Sequence, residues 1–356
     1  MDYRTLLSRH RTAIMGLAAV LVIFSHGKLS NLPFPVGTLV RHGQLGVDIF
    51  IFLSGFGVAF SLEKGEPLSR FYGRRLSRIL PPYYAHLLLL AVLSLLERKT
   101  VLETMQELFI KLLPIGIWLN NWITRWYISA ILGYYVIAAL IYPLLRASRR
   151  LWVTTVLLVL VVAGYVPLIS RMDNVNVAIM RLPGLVLGLA AGASAQPGRE
   201  KGSTSQWPIL ACIALCFALG TALYAFRDSH ALRSMAILSG DKLVRLTQGL
   251  VGAMLAVLAA LLFEGFSRLR LGVINRFSQA LGRVSLELYL GNSVLNAFFN
   301  FHFSPAVALV GALALAYPAA VLIRWTGDWL LRHWGPLVRT LVGVRESPTL
   351  PLKSDG

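Results

Sequence analysis

The chain has 356 residues, 56% of them hydrophobic and only 14% charged, with a net charge of +18. Soluble domains run nearer half apolar and a quarter charged, so this composition, with a mean hydropathy of +0.66, is that of a chain built for lipid. In a soluble protein such a positive charge would point to nucleic acid. Here the basic residues fall between apolar runs, with no lysine-rich tail and no groove-reading motif, so no nucleic-acid partner is expected.

A membrane helix needs about 20 mostly apolar residues. That criterion predicts ten spans, near residues 12–27, 44–62, 80–96, 126–145, 151–169, 179–195, 207–226, 243–263, 281–300 and 305–323. The first is preceded by basic residues like a signal peptide, but no small-residue cleavage pattern follows Phe24-Ser-His-Gly-Lys28, so it reads as a retained helix. The stretch from Leu108 to Trp118 carries Lys111, Pro114 and Gly116, which favour an interfacial or re-entrant segment over a further span. Most lysines and arginines collect on one set of loops, which predicts both termini on the cytoplasmic side. The expected fold is therefore an all-α polytopic membrane protein. Residues 1–345 form one transmembrane domain, and 346–356 a short unstructured cytoplasmic tail. Cys212 and Cys216, four apart in one apolar run, read as packing residues rather than a disulfide framework.

Polar groups inside apolar spans are costly and mark function. His26 closes the first span. Its imidazole could take a proton from a hydroxyl and return it to a leaving group; it could equally be a helix-end histidine satisfied by backbone. Asp48, in Gly46-Val-Asp48-Ile-Phe-Ile-Phe-Leu-Ser54-Gly55-Phe56, could orient that imidazole, or cap the second span. The cluster Arg74-Arg75-Leu-Ser-Arg78 places arginines at i and i+3, able to grip phosphate on one helix face. It could also anchor topology at anionic lipid headgroups. Glu287, read as two turns inside the ninth span, needs an arginine partner. The spacing of the histidines suits no metal, and no P-loop, dinucleotide or nucleophile-elbow motif is present.

Six segments in order resemble the acyltransferase-3 family of bacterial integral membrane O-acyltransferases. They are the opening helix ending in His26, Gly46 to Phe56, Arg75-Leu-Ser-Arg78-Ile-Leu-Pro81, Trp126-Tyr-Ile-Ser, Arg181-Leu-Pro183-Gly, and Ser285-Leu-Glu-Leu-Tyr289-Leu. The resemblance spans nearly the whole chain. It implies a ten-helix fold, an acyl-CoA co-substrate taken from the cytoplasm with no permanently bound cofactor, and an acceptor hydroxyl often on a surface glycan. Two positions depart from the family's pattern. Met15 stands where an arginine eleven residues before the histidine is usual, with Arg11 one turn away as a substitute. Asn292 stands where a histidine often ends the ninth-span motif.

The expectation is a multi-pass protein of the bacterial inner membrane that moves an acetyl or other short acyl group from coenzyme A to a hydroxyl. His26 and Asp48 are the catalytic candidates. Arg74, Arg75 and Arg78, with Arg11 and Glu287, are the donor-binding candidates. Ser54, Trp126, Tyr127, Ser285, Tyr289 and Asn292 are expected to line the substrate path. Two other readings stay open: a transporter or flippase for a lipid-linked or acylated molecule, and a non-catalytic member of the family.

Overall fold

The computed structural model describes residues 2–29, 33, 35–96, 100–119, 126–146, 153–158, 175–194, 207–226 and 241–341. Among them the regular structure is all helical: α1 (Tyr3–Ser25), α2 (Val36–His42), α3 (Leu45–Glu63), α4 (Leu68–Leu96), α5 (Val101–Lys111), α6 (Trp126–Arg146), α7 (Leu182–Ser194, entered through a single turn at Asn176–Ile179), α8 (Trp207–Ala225), α9 (Asp241–Arg268), α10 (Gly272–Arg283), α11 (Ser285–His302) and α12 (Pro305–Leu341). Eight described segments are long and apolar enough to cross a membrane. The predicted fifth span lies mostly outside the described residues, as do the 196–206 linker and the 346–356 tail. The ninth corresponds to α11, a complete helix but a more polar one, carrying Glu287, Asn292, Asn296 and Asn300.

α3 is the buried hub, apolar all round with no amphipathic face. It packs most intimately against α7, where Gly188 lies against the Phe52 backbone and Gly55 against the Leu185 carbonyl. Small residues are what let two membrane helices approach this closely. α1, α6 and α9 pack around the same hub, and α4, α11 and α12 form a second group beside it.

Three boundaries differ from the sequence expectation. The third span, expected to start near residue 80, takes in the arginine cluster, because α4 starts at Leu68 and runs unbroken through Pro81 and Pro82. Membrane helices tolerate proline where a neighbour covers the freed backbone; here α12 does so, with Gly327 against the Pro81 backbone. Residues 272–283 form the amphipathic helix α10 rather than a loop, and α11 begins only at Ser285. Glu287 is thus in the first turn of its helix, not two turns inside.

The segment before α6 folds back along α4. α5 starts with a capping box at Thr100 and Glu103. It then runs back along α4 until Tyr83 donates to the Lys111 carbonyl at 2.6 Å and Tyr84 to that of Leu112 at 3.4 Å. At 1.5 Å per residue, that is about 20 Å below the Leu96 end of α4. A short 3-10 turn, Gly116–Leu119, then docks on α6, where the Trp118 indole donates to the Ser129 carbonyl at 2.7 Å.

Candidate active site

α1 spans the bundle with Arg11 toward one end and His26 at the other, fifteen residues apart and so about 22 Å along the helix. Functional side chains gather at three levels between them.

At the basic end, Arg11 and Arg75 converge on Gly57 of α3. A Cβ added at Gly57 would stand 2.5 Å from the Arg11 guanidinium, so only glycine leaves it room. Arg75 donates to the Ser61 hydroxyl at 2.6 Å and lies 5.4 Å from the ring centroids of Phe71 and Tyr135, within cation–π range. The Arg11 Nε is buried without a hydrogen-bond partner. Among the described residues neither Arg11 nor Arg75 has a carboxylate in ion-pair contact, although their charges face each other. The other two arginines of the cluster are neutralised: Arg74 pairs with Glu66, and Arg78 pairs with Glu287 at 3.3 Å. Glu287 is fully buried and finds the arginine that its position demanded. Sequence reading put Arg75 and Arg78 first, with Arg74 helping; the structure pairs Arg74 and Arg78 with carboxylates and brings Arg75 together with Arg11, another of the candidates.

In the middle, Tyr127 of α6 faces the Ser54 hydroxyl and lies 5.1 Å from the Tyr289 ring, so three predicted path residues meet at one point. Ser285 is buried at the start of α11, one turn before Tyr289 on the same face of the helix.

At the far end His26 caps α1. It is exposed, not sunk in a dry site as an intramembrane histidine would be, because the ring lies beyond the last turn of the helix. Its Nδ1 is 2.8 Å from the Val22 carbonyl. A carbonyl only accepts, so this contact puts the proton on Nδ1 and leaves the Nε2 lone pair free. The Asn292 amide nitrogen lies 3.1 Å from the same nitrogen, a contact rather than a hydrogen bond, since a protonated Nδ1 offers that amide no lone pair. Asn292, a departure from the family's pattern, is therefore in direct contact with His26.

Asp48 does not orient His26 through any described contact. It lies in the first turn of α3, whose N-cap is Gln44, so it is not the cap either. Its carboxylate pairs with Arg181 at 3.0 Å, the two side chains being 1% and 3% exposed. Arg181 also donates to the Val177 carbonyl at 3.2 Å and to Gln248 at 3.3 Å, and stands 4.7 Å over the Trp126 ring. Trp126 thus holds an arginine on its face while its ring also lies 6.1 Å from that of Tyr127. Gly252 of α9 closes over the pair, and a Cβ there would come within 2.6 Å of that of Asp48. Arg181, Gln248, Gly57 and Tyr135 are the site residues that sequence reading missed. Arg181 had a visible signal, an arginine opening an apolar span. Among the described residues no three His, Cys, Asp or Glu side chains converge to hold a metal.

Fold and site define a polytopic helical membrane protein with a half-buried arginine pair toward one end of its first helix and an imidazole at the other. The family model of acyltransferase 3, described as an acyltransferase domain, matches residues 13–325. The chain belongs to that family and is a membrane acyltransferase. No curated protein and no solved structure matches it.

Proposed function

We propose that this acyltransferase takes an acetyl or other short acyl group from acyl-CoA at the cytoplasmic face of the bacterial inner membrane and passes it to a hydroxyl of a glycan or related surface molecule. One observation carries the donor assignment: Arg11 and Arg75 meet at Gly57 with no carboxylate from the described residues on either. Two guanidiniums held together in a half-buried setting repel unless an anion joins them. Phosphate is the anion whose oxygens match their planar donors. The bias of basic residues toward the same end supports a cytoplasmic donor.

From that anchor the slender pantetheine arm has a line of contacts to follow. Tyr127 lies near Arg11 and touches Tyr289, and Tyr289 and Asn292 share a face of α11 at i and i+3. Asn292 touches His26. Nε2 of His26 takes the proton of the acceptor hydroxyl as its oxygen attacks the thioester carbonyl. The tetrahedral adduct then expels the thiolate, which receives that proton from the imidazolium, giving ester and free coenzyme A. In place of a carboxylate, the imidazolium faces the Val22 carbonyl and the negative end of the α1 dipole. The Asp48–Arg181 pair acts as a positioning element that fixes α3 against α7 and α9.

Binding to the full-length protein in nanodiscs tests the donor assignment, comparing acetyl-CoA with phosphate-free acetyl-pantetheine. Arg11→Met and Arg75→Met should each weaken acetyl-CoA binding by tenfold or more, since a hydrogen bond to a charged group is worth about 1.5–3 kcal/mol. Acetyl-pantetheine should be little affected. Equal affinity of the wild type for the two compounds would overturn the assignment.

A further inference from the structure

α11 carries a feature that acyl transfer as described leaves unused. Asn292, Asn296 and Asn300 recur every four residues and so form one stripe along the helix, starting at His26 and running away from the donor end. Asn292 is fully buried and touches the His26 ring. Asn296 is 4% exposed, donates to the Asn292 carbonyl at 3.0 Å and contacts the Asn292 side-chain oxygen. Asn300 reaches the His26 carbonyl at 3.5 Å. The ladder thus meets His26 at two points, the ring through Asn292 and the backbone carbonyl through Asn300.

The ladder is not satisfied internally. The Oδ1 atoms of Asn296 and Asn300 are buried and accept no hydrogen bond. An unmatched buried amide oxygen forfeits its hydration without compensation, and three asparagines on one membrane helix give up the packing that apolar residues would supply. Such a cost is sustained where a ligand supplies the missing donors. Each primary amide both donates and accepts, as does each hydroxyl. Rungs about 6 Å apart, from 1.5 Å per residue over four residues, suit a ligand with several hydroxyls spread along its length.

We propose that Asn296 and Asn300 are specificity-determining residues for the acceptor, holding neighbouring hydroxyls of a sugar so that one hydroxyl lies at Nε2 of His26. This rests on the reading of His26 as the base, and gives it an acceptor subsite. A ligand with a single hydroxyl could reach His26 but could not engage the upper rungs.

The test uses the full-length protein in nanodiscs with acetyl-CoA as donor and two acceptors, methyl α-D-glucopyranoside and n-propanol. The wild type should favour the glycoside in kcat/KM. Asn296→Leu and Asn300→Ala should each cut that preference by tenfold or more, chiefly through the glycoside KM, with the donor KM held and Asn296→Gln recovering part of the loss. Asn300 lies at the open edge of the ladder, so its variant gives a second reading should Asn296→Leu fold poorly. A wild type with no preference for the glycoside, or variants that lose both acceptors equally, overturns the subsite while leaving the transferase reading in place. Absence of transfer to either acceptor overturns both.

Discussion

Replacing Arg181 with methionine should be among the most damaging single changes outside the reacting groups. The Asp48–Arg181 pair is 3.0 Å apart and both side chains are almost entirely buried. Removing one partner of such a pair leaves an uncompensated charge, at a cost of about 3–5 kcal/mol. Arg181→Met also removes the bonds to Val177 and Gln248 and the contact with Trp126, which places it at the upper end. Asp48→Asn should fall at the lower end, since Arg181 keeps those three partners. At about 2–4 °C per kcal/mol for domains of 150–250 residues, and less for a longer chain, the single variants should lose on the order of 5–15 °C in unfolding midpoint. The double variant Asp48→Asn/Arg181→Met carries neither charge and should recover part of the loss. A double-mutant cycle on nanodisc-embedded protein, read by intrinsic fluorescence on heating, would show a coupling of about 2 kcal/mol or more. Arg181→Met melting within 2 °C of the wild type, or losses that simply add, would refute the reasoning.

Other consequences follow from the same geometry. Gly57→Val should push the Arg11 guanidinium aside and raise the KM for acetyl-CoA by tenfold or more; steady-state kinetics at saturating acceptor would show it, and an unchanged donor KM would contradict it. For the Arg78–Glu287 pair the two single variants should differ in severity. Glu287 is fully buried while the Arg78 side chain is 49% exposed. Arg78→Met strands a carboxylate with no access to water and should cost about 1–3 kcal/mol, discounted for partial solvation. Glu287→Gln strands a guanidinium that water can reach and should cost less. Thermal midpoints in the reverse order would contradict this.

The ends of the donor–acceptor axis were legible in the sequence because each rests on a costly residue in an apolar setting: His26 closing one span, and arginines at helical spacing. Arg75 could not be told from Arg74 and Arg78, since what separates them is which carboxylate each reaches. Glu66 is eight residues from Arg74, whereas Glu287 is more than two hundred from Arg78. Asp48 was given to His26 because the two share a level of the bundle. Arg181, 133 residues on, reaches the same carboxylate only once α7 has packed on α3. The extent of α4 was hidden by Pro81 and Pro82, which end helices in water but not where α12 covers them. At Asn292 the sequence shows a departure from the family's pattern and no more. Its role emerges only from the contact with His26 and from the two further asparagines at the same spacing, a period that the sequence did display.

The central claim is that His26 performs the proton transfer at a place separate from where the donor is gripped. Isothermal titration and turnover on one preparation of His26→Ala in nanodiscs test it directly. Acetyl-CoA should bind within about twofold of the wild type, since Arg11 lies about 22 Å away along α1. Transfer to the acceptor should fall by 10²–10⁴-fold, the usual contribution of a general base. Loss of donor binding together with activity, or transfer persisting within tenfold of the wild type, would contradict the account.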